Sequence, residues 1–330
     1  MKHIKRDIFT GCAILMLVLS LLLVPTPSNA DEDFSAWLKG LRAEAVSKGI
    51  SVGTLDTAFK DIQLIDRVIE LDRNQPEFKL TFETYMEKVV TPNRVSRGRR
   101  LLAEHREMLE KVAQRYGVQS RFLVAIWAIE SNFGDHRGGF SVIGALTTLA
   151  YDARRGKFFR NELINALRIL DEGHISVSDM RGSWAGAMGQ VQFIPSSFVS
   201  FAVDFDGDGK KDIWHNLPDI FASAANYLSS YKWQKGRTWG RQVDLPEWFD
   251  HDMAGLETVK PLAEWQRIGV RRLNGDDLPK VNIKASLVLP SGKDGPAFLV
   301  YDNYRAIYKW NKSHFYVIAV GTLADKIAAQ

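Results

Sequence analysis

A single carboxyl, Glu130, closes a stretch in which almost every residue is apolar: Phe122-Leu123-Val124-Ala125-Ile126-Trp127-Ala128-Ile129. Ser131-Asn132-Phe133-Gly134 follows at once and reads as a helix end. A helix apolar all round is a buried one, so the acid is expected at the C-terminal end of a core helix. Desolvation and the negative end of the helix dipole both penalise a carboxylate there. A carboxyl with its pKa raised in this way can donate a proton near neutral pH. The plainer alternative is a Glu held by neighbouring hydrogen bonds or turned to solvent, since structural networks also perturb carboxyls.

Two further segments carry chemistry. Asp204-Phe205-Asp206-Gly207-Asp208-Gly209-Lys210-Lys211-Asp212 sets acids at loop positions 1, 3, 5 and 9 with Gly at 6. That is EF-hand spacing, in which alternate side chains converge on one hard cation and the Gly allows the sharp turn. Position 12 is His215 rather than a bidentate Glu, and Asp219 is the acid expected to complete the set. The alternative is a polar, turn-rich loop without metal. A Ca²⁺ bound here is read as structural, because no flanking helix pair suggests a switch. The second segment, Ser183-Trp184-Ala185-Gly186-Ala187-Met188-Gly189-Gln190-Val191-Gln192-Phe193-Ile194-Pro195, lacks the Lys-Ser/Thr of a phosphate loop. Its small residues let the backbone pass close to a helix or a ligand. Ser183 and Gln192 among aromatics suit hydroxyl- and acetamido-rich sugars, while tight helix packing explains the same glycines.

The elements that must hold these residues are mainly helical. Trp37, Leu38, Leu41 and Ala45 keep helical spacing, and Pro76 at a helix start precedes Phe78, Leu80, Phe82, Tyr85 and Met86. A longer helix is predicted from about Val95 to Tyr116, stopped by Gly117, with its basic cluster at Arg94, Arg97, Arg99 and Arg100 read as a solvated face. Helices are also predicted near Asn161–Leu170 and Asp219–Tyr231. From about Gly236, Val281, Ile283, Ala285, Leu287 and Leu289 alternate with polar residues as a half-buried strand does, and Phe298–Tyr301 is a second strand. Phe315–Ile327 returns to helix. The fold class is α+β, mainly α.

The 330 residues carry 45% hydrophobic and 25% charged side chains, ordinary for a soluble globular protein. Lys2, Lys5 and Arg6 precede an apolar run from Cys12 to Val24 and then Pro25-Thr26-Pro27-Ser28-Asn29-Ala30. This reads as an export signal cut after Ala30, the apolar run being short for a membrane span. A periplasmic protein is expected; an uncut signal acting as an inner-membrane anchor is the alternative. Cys12 is the only cysteine and leaves with the signal, so neither disulfide nor thiol chemistry is expected of the mature chain. Loss of the signal also leaves 40 basic against 38 acidic side chains, a net charge of +2, too weak to argue for nucleic acid. Nine Trp and 18 Phe point to a large aromatic core, an aromatic-lined groove, or both.

Glu130-Ser131-Asn132-Phe133-Gly134, followed by Ser183-Trp184-Ala185-Gly186-Ala187-Met188-Gly189-x-x-Gln192-Phe193, resembles the family B lytic murein transglycosylases of bacterial cell walls. Gln75-Pro76-Glu77-Phe78, the Asp/Gly loop, Ala225-Asn226-Tyr227 and Asn311-x-Ser313-x-x-Tyr316 match that family in order. The resemblance implies a lysozyme-like catalytic core over residues 119–235 and a helical domain over 31–118. It implies a small antiparallel β domain over 236–305, and a C-terminal segment, 306–330, that returns to the core and the helical domain. It further implies cleavage of the β-1,4 bond between N-acetylmuramic acid and N-acetylglucosamine, with a 1,6-anhydro product. Glu130 would be the sole acid and base. Ser183, Gln192, Phe193, Tyr227, Asn311 and Tyr316 would line the sugar groove, and Asp204, Asp206, Asp208, the Lys210 backbone and Asp219 would hold structural Ca²⁺. Trp310 departs from the family, which commonly has a tyrosine beside Asn311, and His215-Asn216 lengthens the stretch before Asp219. No organic cofactor is expected. Partners would be glycan strands and wall-synthesis proteins, with the chain a monomer. Two other readings compete: a muramidase that hydrolyses the same bond with water, and a non-catalytic, calcium-stabilised wall-binding protein.

Overall fold

A computed structural model describes residues 29–74, 80–152 and 154–329; the expected signal and the Gln75–Phe78 motif lie outside them, wholly or for the most part. The chain divides into two compact units, Met1–Leu41 and Arg42–Gln330. Within the first, Phe34 and Trp37 stack with ring centroids 6.0 Å apart.

Among the described residues six helices come before the apolar stretch: α1 (Asn29–Ser47), α2 (Val52–Ala58), α3 (Asp66–Asn74), α4 (Phe82–Val89), α5 (Pro92–Glu104) and α6 (Arg106–Tyr116). Their starts are written in the sequence. Ser51, Thr81 and Thr91 cap α2, α4 and α5 through side-chain oxygens, and Pro92 opens α5, where its missing N–H costs nothing. Gly117 ends α6 in the left-handed conformation, φ 73°. The single helix expected from Val95 to Tyr116 is in fact broken. His105, at φ −102° and ψ 20°, leaves helical geometry, and its ring packs edge-on to Trp127, centroids 6.4 Å apart. Neither Gly nor Pro marks the break, so the apolar spacing runs through it unaltered.

The apolar stretch forms α7 (Ser120–Ser131), in which Phe122 to Ala128 are all buried. The two-residue strand β1 (Phe140–Ser141) leads into α8 (Val142–Tyr151), buried from Val142 to Ala150, and α9 (Gly156–Asp171) lies against it. Strand β2 (Arg181–Gly182) pairs antiparallel with β1, Phe140 opposite Gly182, and the chain continues through α10 (Pro195–Phe201) and α11 (Leu217–Ser230). Glu162 on α9 is buried and accepts the Ser196 amide at the start of α10, 2.8 Å, so this carboxylate is committed to a helix end.

A five-stranded antiparallel sheet follows, built from β3 (Gly240–Asp244), β4 (Gly255–Pro261), β5 (Arg271–Arg272), β6 (Lys284–Val288) and β7 (Ala297–Val300), with α12 (Leu262–Ile268) between β4 and β5. Its order is β4-β6-β7-β3-β5. The alternation read around residues 281–289 implies a wet face, but Ala285 to Val288 are all buried. One face of the sheet packs on Trp265, whose indole donates to the Ala285 carbonyl at 3.0 Å. Ser286, expected on the other side, is also fully buried. Its hydroxyl donates to Leu256 O at 3.2 Å and accepts from Arg305 at 2.8 Å. Arg305 reaches that face from α13 (Asp302–Trp310), and α14 (His314–Ala328) returns to lie along α7 and α5. A polar residue that finds partners can be buried, which is why alternation alone misjudged this strand.

Candidate active site

Three successive residues end α7 in left-handed conformations: Asn132 (φ 51°), Phe133 (φ 61°) and Gly134 (φ 86°). The turn is pinned by Ser131, whose hydroxyl accepts the Gly134 amide at 3.0 Å. Only glycine fits at 134, because a Cβ would overlap the Gln190 side-chain amide. That amide is itself fixed, accepting from Trp127 Nε1 at 2.7 Å and donating to the Trp214 carbonyl at 2.8 Å. The small-residue segment is therefore locked to the helix that carries Glu130.

Glu130 accepts two hydrogen bonds, both on Oε1: Tyr316 Oη at 2.5 Å and Trp310 Nε1 at 2.9 Å. Both donors come from one corner. Trp310 is the last residue of α13, and Tyr316 lies in the first turn of α14, which Ser313 caps through the Tyr316 amide at 3.4 Å. The Asn311-x-Ser313-x-x-Tyr316 spacing thus encodes a helix start that delivers a phenol to the acid. Burial pushes the Glu130 carboxyl up to about 7, against the Tyr316 and Trp310 donors, which favour the charged form. The side chain keeps only partial contact with solvent. Among the described residues no second carboxylate acts on it: Asp135 pairs with Arg97 and Glu162 caps α10.

Besides Tyr316, the groove residues expected from sequence divide in two. Phe193 and Tyr227 form one aromatic cluster with Trp310, ring centroids 5.1 Å and 4.7 Å from it. Both are buried, and the Tyr227 hydroxyl donates to the Lys309 carbonyl at 2.8 Å. They back the indole that holds Glu130 and leave no hydroxyl or ring face open. Ser183, Gln192 and Asn311 do not hydrogen-bond to Glu130. Ser183 Oγ accepts the Ala187 amide at 3.0 Å, and Gln192, itself at φ 50°, donates to the Gly189 carbonyl at 2.8 Å. Asn311 is exposed in the α13–α14 corner.

In the Asp/Gly loop, carboxylate oxygens of Asp204, Asp206 and Asp219 lie within 4.8 Å of one another. Asp219 is fully buried and ties the loop ends together, accepting the Phe205 amide at 2.7 Å and the Asp212 amide at 2.8 Å. Burial first, and the charges of Asp206 and Asp204 after it, push the Asp219 carboxyl up to about 6 despite those two amides. Asp208 is not in this cluster; it accepts the Lys210 amide at 2.8 Å. Asp212 accepts the amides of Trp214 and His215, both at 2.9 Å. Three hard oxygen donors that repel one another fit a divalent cation of the calcium type.

Residues 33–325 match the family model of the transglycosylase SLT domain. The chain belongs to this family. Among relatives of the SLT family, membrane-bound lytic murein transglycosylase B of Escherichia coli K12 is 30% identical over 257 residues, 74% of this chain and 66% of that protein. This chain thus spans just under two thirds of that relative's length. The structure of SltB3 from Pseudomonas aeruginosa in complex with NAG-anhNAM-pentapeptide superposes with a TM-score of 0.87 at 48% identity, covering 89% of this chain and 79% of that one. Escherichia coli Slt35 in complex with calcium gives 0.76 at 26% identity, covering 88% and 92%. The resemblance to family B lytic transglycosylases holds, and so does the lysozyme-like, mainly helical α+β fold.

Sequence reasoning missed what Trp310 does. It marked the residue as a departure from the SLT family pattern, but nothing local in sequence links position 310 to Glu130, 180 residues away. The one usable signal was chemical, since an indole N–H is a donor that needs a partner when buried.

Proposed function

We propose that this chain is a lytic transglycosylase that cuts the β-1,4 bond between N-acetylmuramic acid and N-acetylglucosamine in peptidoglycan glycan strands. One observation carries this reading: a lone carboxyl with a pKa of about 7, anchored on one oxygen, with no second carboxylate acting on it among the described residues. Two-acid glycosidases set their carboxyls about 5–9.5 Å apart, a spacing at which each would shift the other. The product-like ligand held by SltB3 supports the same chemistry.

Both protein donors bind Glu130 Oε1, so Oε2 is the oxygen left to carry the proton. Oε2–H donates to the glycosidic oxygen as its bond to the muramic C1 breaks. The 2-acetamido group of that sugar stabilises the oxocarbenium-like centre. The Glu130 carboxylate then removes the proton of the sugar's own 6-hydroxyl as O6 bonds to C1, closing the 1,6-anhydro ring and restoring the acid. A pKa near the working pH serves both roles of one group. Intramolecular attack replaces a bound water, with an effective molarity that reaches ~10⁵ M. Mass spectrometry of products from purified wall glycan tests this: muramic ends lighter by one water than the hydrolysed form are expected. Hydrolysed ends would make the enzyme a muramidase instead.

In this reading Asp204, Asp206 and Asp219, with the Lys210 carbonyl, hold a structural Ca²⁺ that neutralises three crowded carboxylates; Asp208, which accepts the Lys210 amide through Oδ1, offers its second oxygen to the ion. Chelation by EGTA is then expected to lower Tm by several degrees, since a ligand at a hundredfold its Kd adds about 2.7 kcal/mol. Added Ca²⁺ should restore it, and Asp219→Ala should abolish the response. A Tm indifferent to EGTA and Ca²⁺ would empty the loop of metal. Export to the periplasm fits the substrate, with residues 1–30 as its signal; no helix among the described residues is long and apolar enough to cross a membrane.

A further inference from the structure

At the opposite end of α7 from Glu130 lies a cavity of about 620 Å³ that none of the chemistry above uses. Arg121 opens that end of the helix, nine residues before Glu130 and so about 13 Å away along the axis. Arg121, Arg237, Arg241 and Lys284 line the cavity, against one acid, Asp302. Arg121 is paired with Asp325 at 2.6 Å, and Arg241 donates to the Tyr301 hydroxyl at 2.8 Å. The side chains of Arg237 and Lys284 have no hydrogen-bond or ion-pair partner among the described residues. Arg272, on β5, adds its charge near the same Tyr301 hydroxyl, and its Nε is buried without a hydrogen-bond partner. Of the four basic side chains that line the cavity only Arg121 has an ion-pair partner, so positive charge is left in excess, and a low-dielectric concavity strengthens its pull on an anion.

The walls are not only basic. Val259 and Val281, 48% and 46% exposed, are among the large hydrophobic side chains left open to solvent, and both face this cavity. A bare inorganic anion needs neither that width nor apolar walls, whereas a short acidic peptide uses both. We infer that this cavity, between the start of α7 and the edge of the sheet, binds a peptide carrying two or more carboxylates, with Arg237 and Lys284 as its principal anchors. Only the source of that peptide, the stem of a neighbouring wall strand, rests on the proposed function.

The test uses the full chain and a fluorescent tetrapeptide with free carboxylates, released from wall material, alongside the same peptide fully amidated. Anisotropy should show saturable binding of the first, weakened by salt, and none of the second. Arg237→Ala/Lys284→Ala should weaken binding at least tenfold while leaving turnover of peptide-free glycan unchanged. Equal binding by the amidated peptide, equal binding by the variant, or full displacement by inorganic phosphate at the peptide's own concentration would each overturn the proposal. Peptide binding by a chain that cleaves no glycan would sink the proposed function and leave this site standing.

Discussion

Glu130→Gln is expected to cut turnover of purified wall glycan by about 10⁴-fold, because one side chain performs both proton transfers. The substitution suits the site: Gln keeps an Oε1 where Tyr316 Oη and Trp310 Nε1 already donate. The fold and the glycan affinity should therefore survive, and co-sedimentation with wall material would report the latter. A variant that still clears a wall suspension would remove Glu130 from the mechanism. Stability gives an independent check. The folded carboxyl titrates at about 7 against an ordinary value of 4.5, so the folded state holds its proton more tightly than the unfolded chain. Stability then falls as pH rises through that window, is unaffected by this group below it, and carries the full cost above it. The cost is about 3 kcal/mol. Gln has nothing to ionise, so the variant should melt higher than wild type by several degrees at pH 8, with the gap closing near pH 4.5. Equal melting across the range would mean that Glu130 is not held neutral by its surroundings.

Much of this site was legible because it is local. Phe122 to Gly134 states a buried helix, an acid at its end and a stop after it, and each is found, the stop as three left-handed residues. Ser313 and Tyr316 read as a motif, and the structure supplies the physics: a cap and the first turn of the helix it starts. What sequence could not give is the long-range pairing. Phe193 and Tyr227 suggest sugar platforms by type, yet they are buried behind Trp310, since an aromatic ring serves a core as readily as a groove. In the Asp/Gly loop the spacing suggests four side chains of equal standing. Two of them, Asp208 and Asp212, stand outside the three-acid cluster, although all four accept backbone amides, as short acids in turns commonly do. The break at His105 escaped because the contact that goes with it, to Trp127, is tertiary. Ser286 was misassigned for a similar reason, its partner Arg305 arriving from a helix 19 residues on.

Tyr316→Phe is expected to have the second-largest effect, lowering kcat by about 10–100-fold and moving the alkaline limb of the pH–rate profile upward. The sign follows from what the phenol does. Its hydrogen bond favours the charged carboxylate, opposing the burial that disfavours it. Without it, burial has one opponent fewer, Trp310 Nε1, and the carboxyl holds its proton to higher pH. A hydrogen bond to a charged group is worth about 1.5–3 kcal/mol, so the limb should move by about one pH unit or more. The rate falls at every pH, because the carboxylate formed after the first proton transfer now has less to stabilise it and one anchor fewer on Oε1. Trp310→Phe should move the limb the same way by less, since an indole N–H at 2.9 Å is the longer of the two bonds and the Phe193–Tyr227 cluster still fills the space behind it. A Tyr316→Phe profile shifted to lower pH would contradict the assignment, for it would mean that the phenol stabilises the neutral acid. An unshifted limb with a lowered rate would place Tyr316 against the substrate rather than against Glu130.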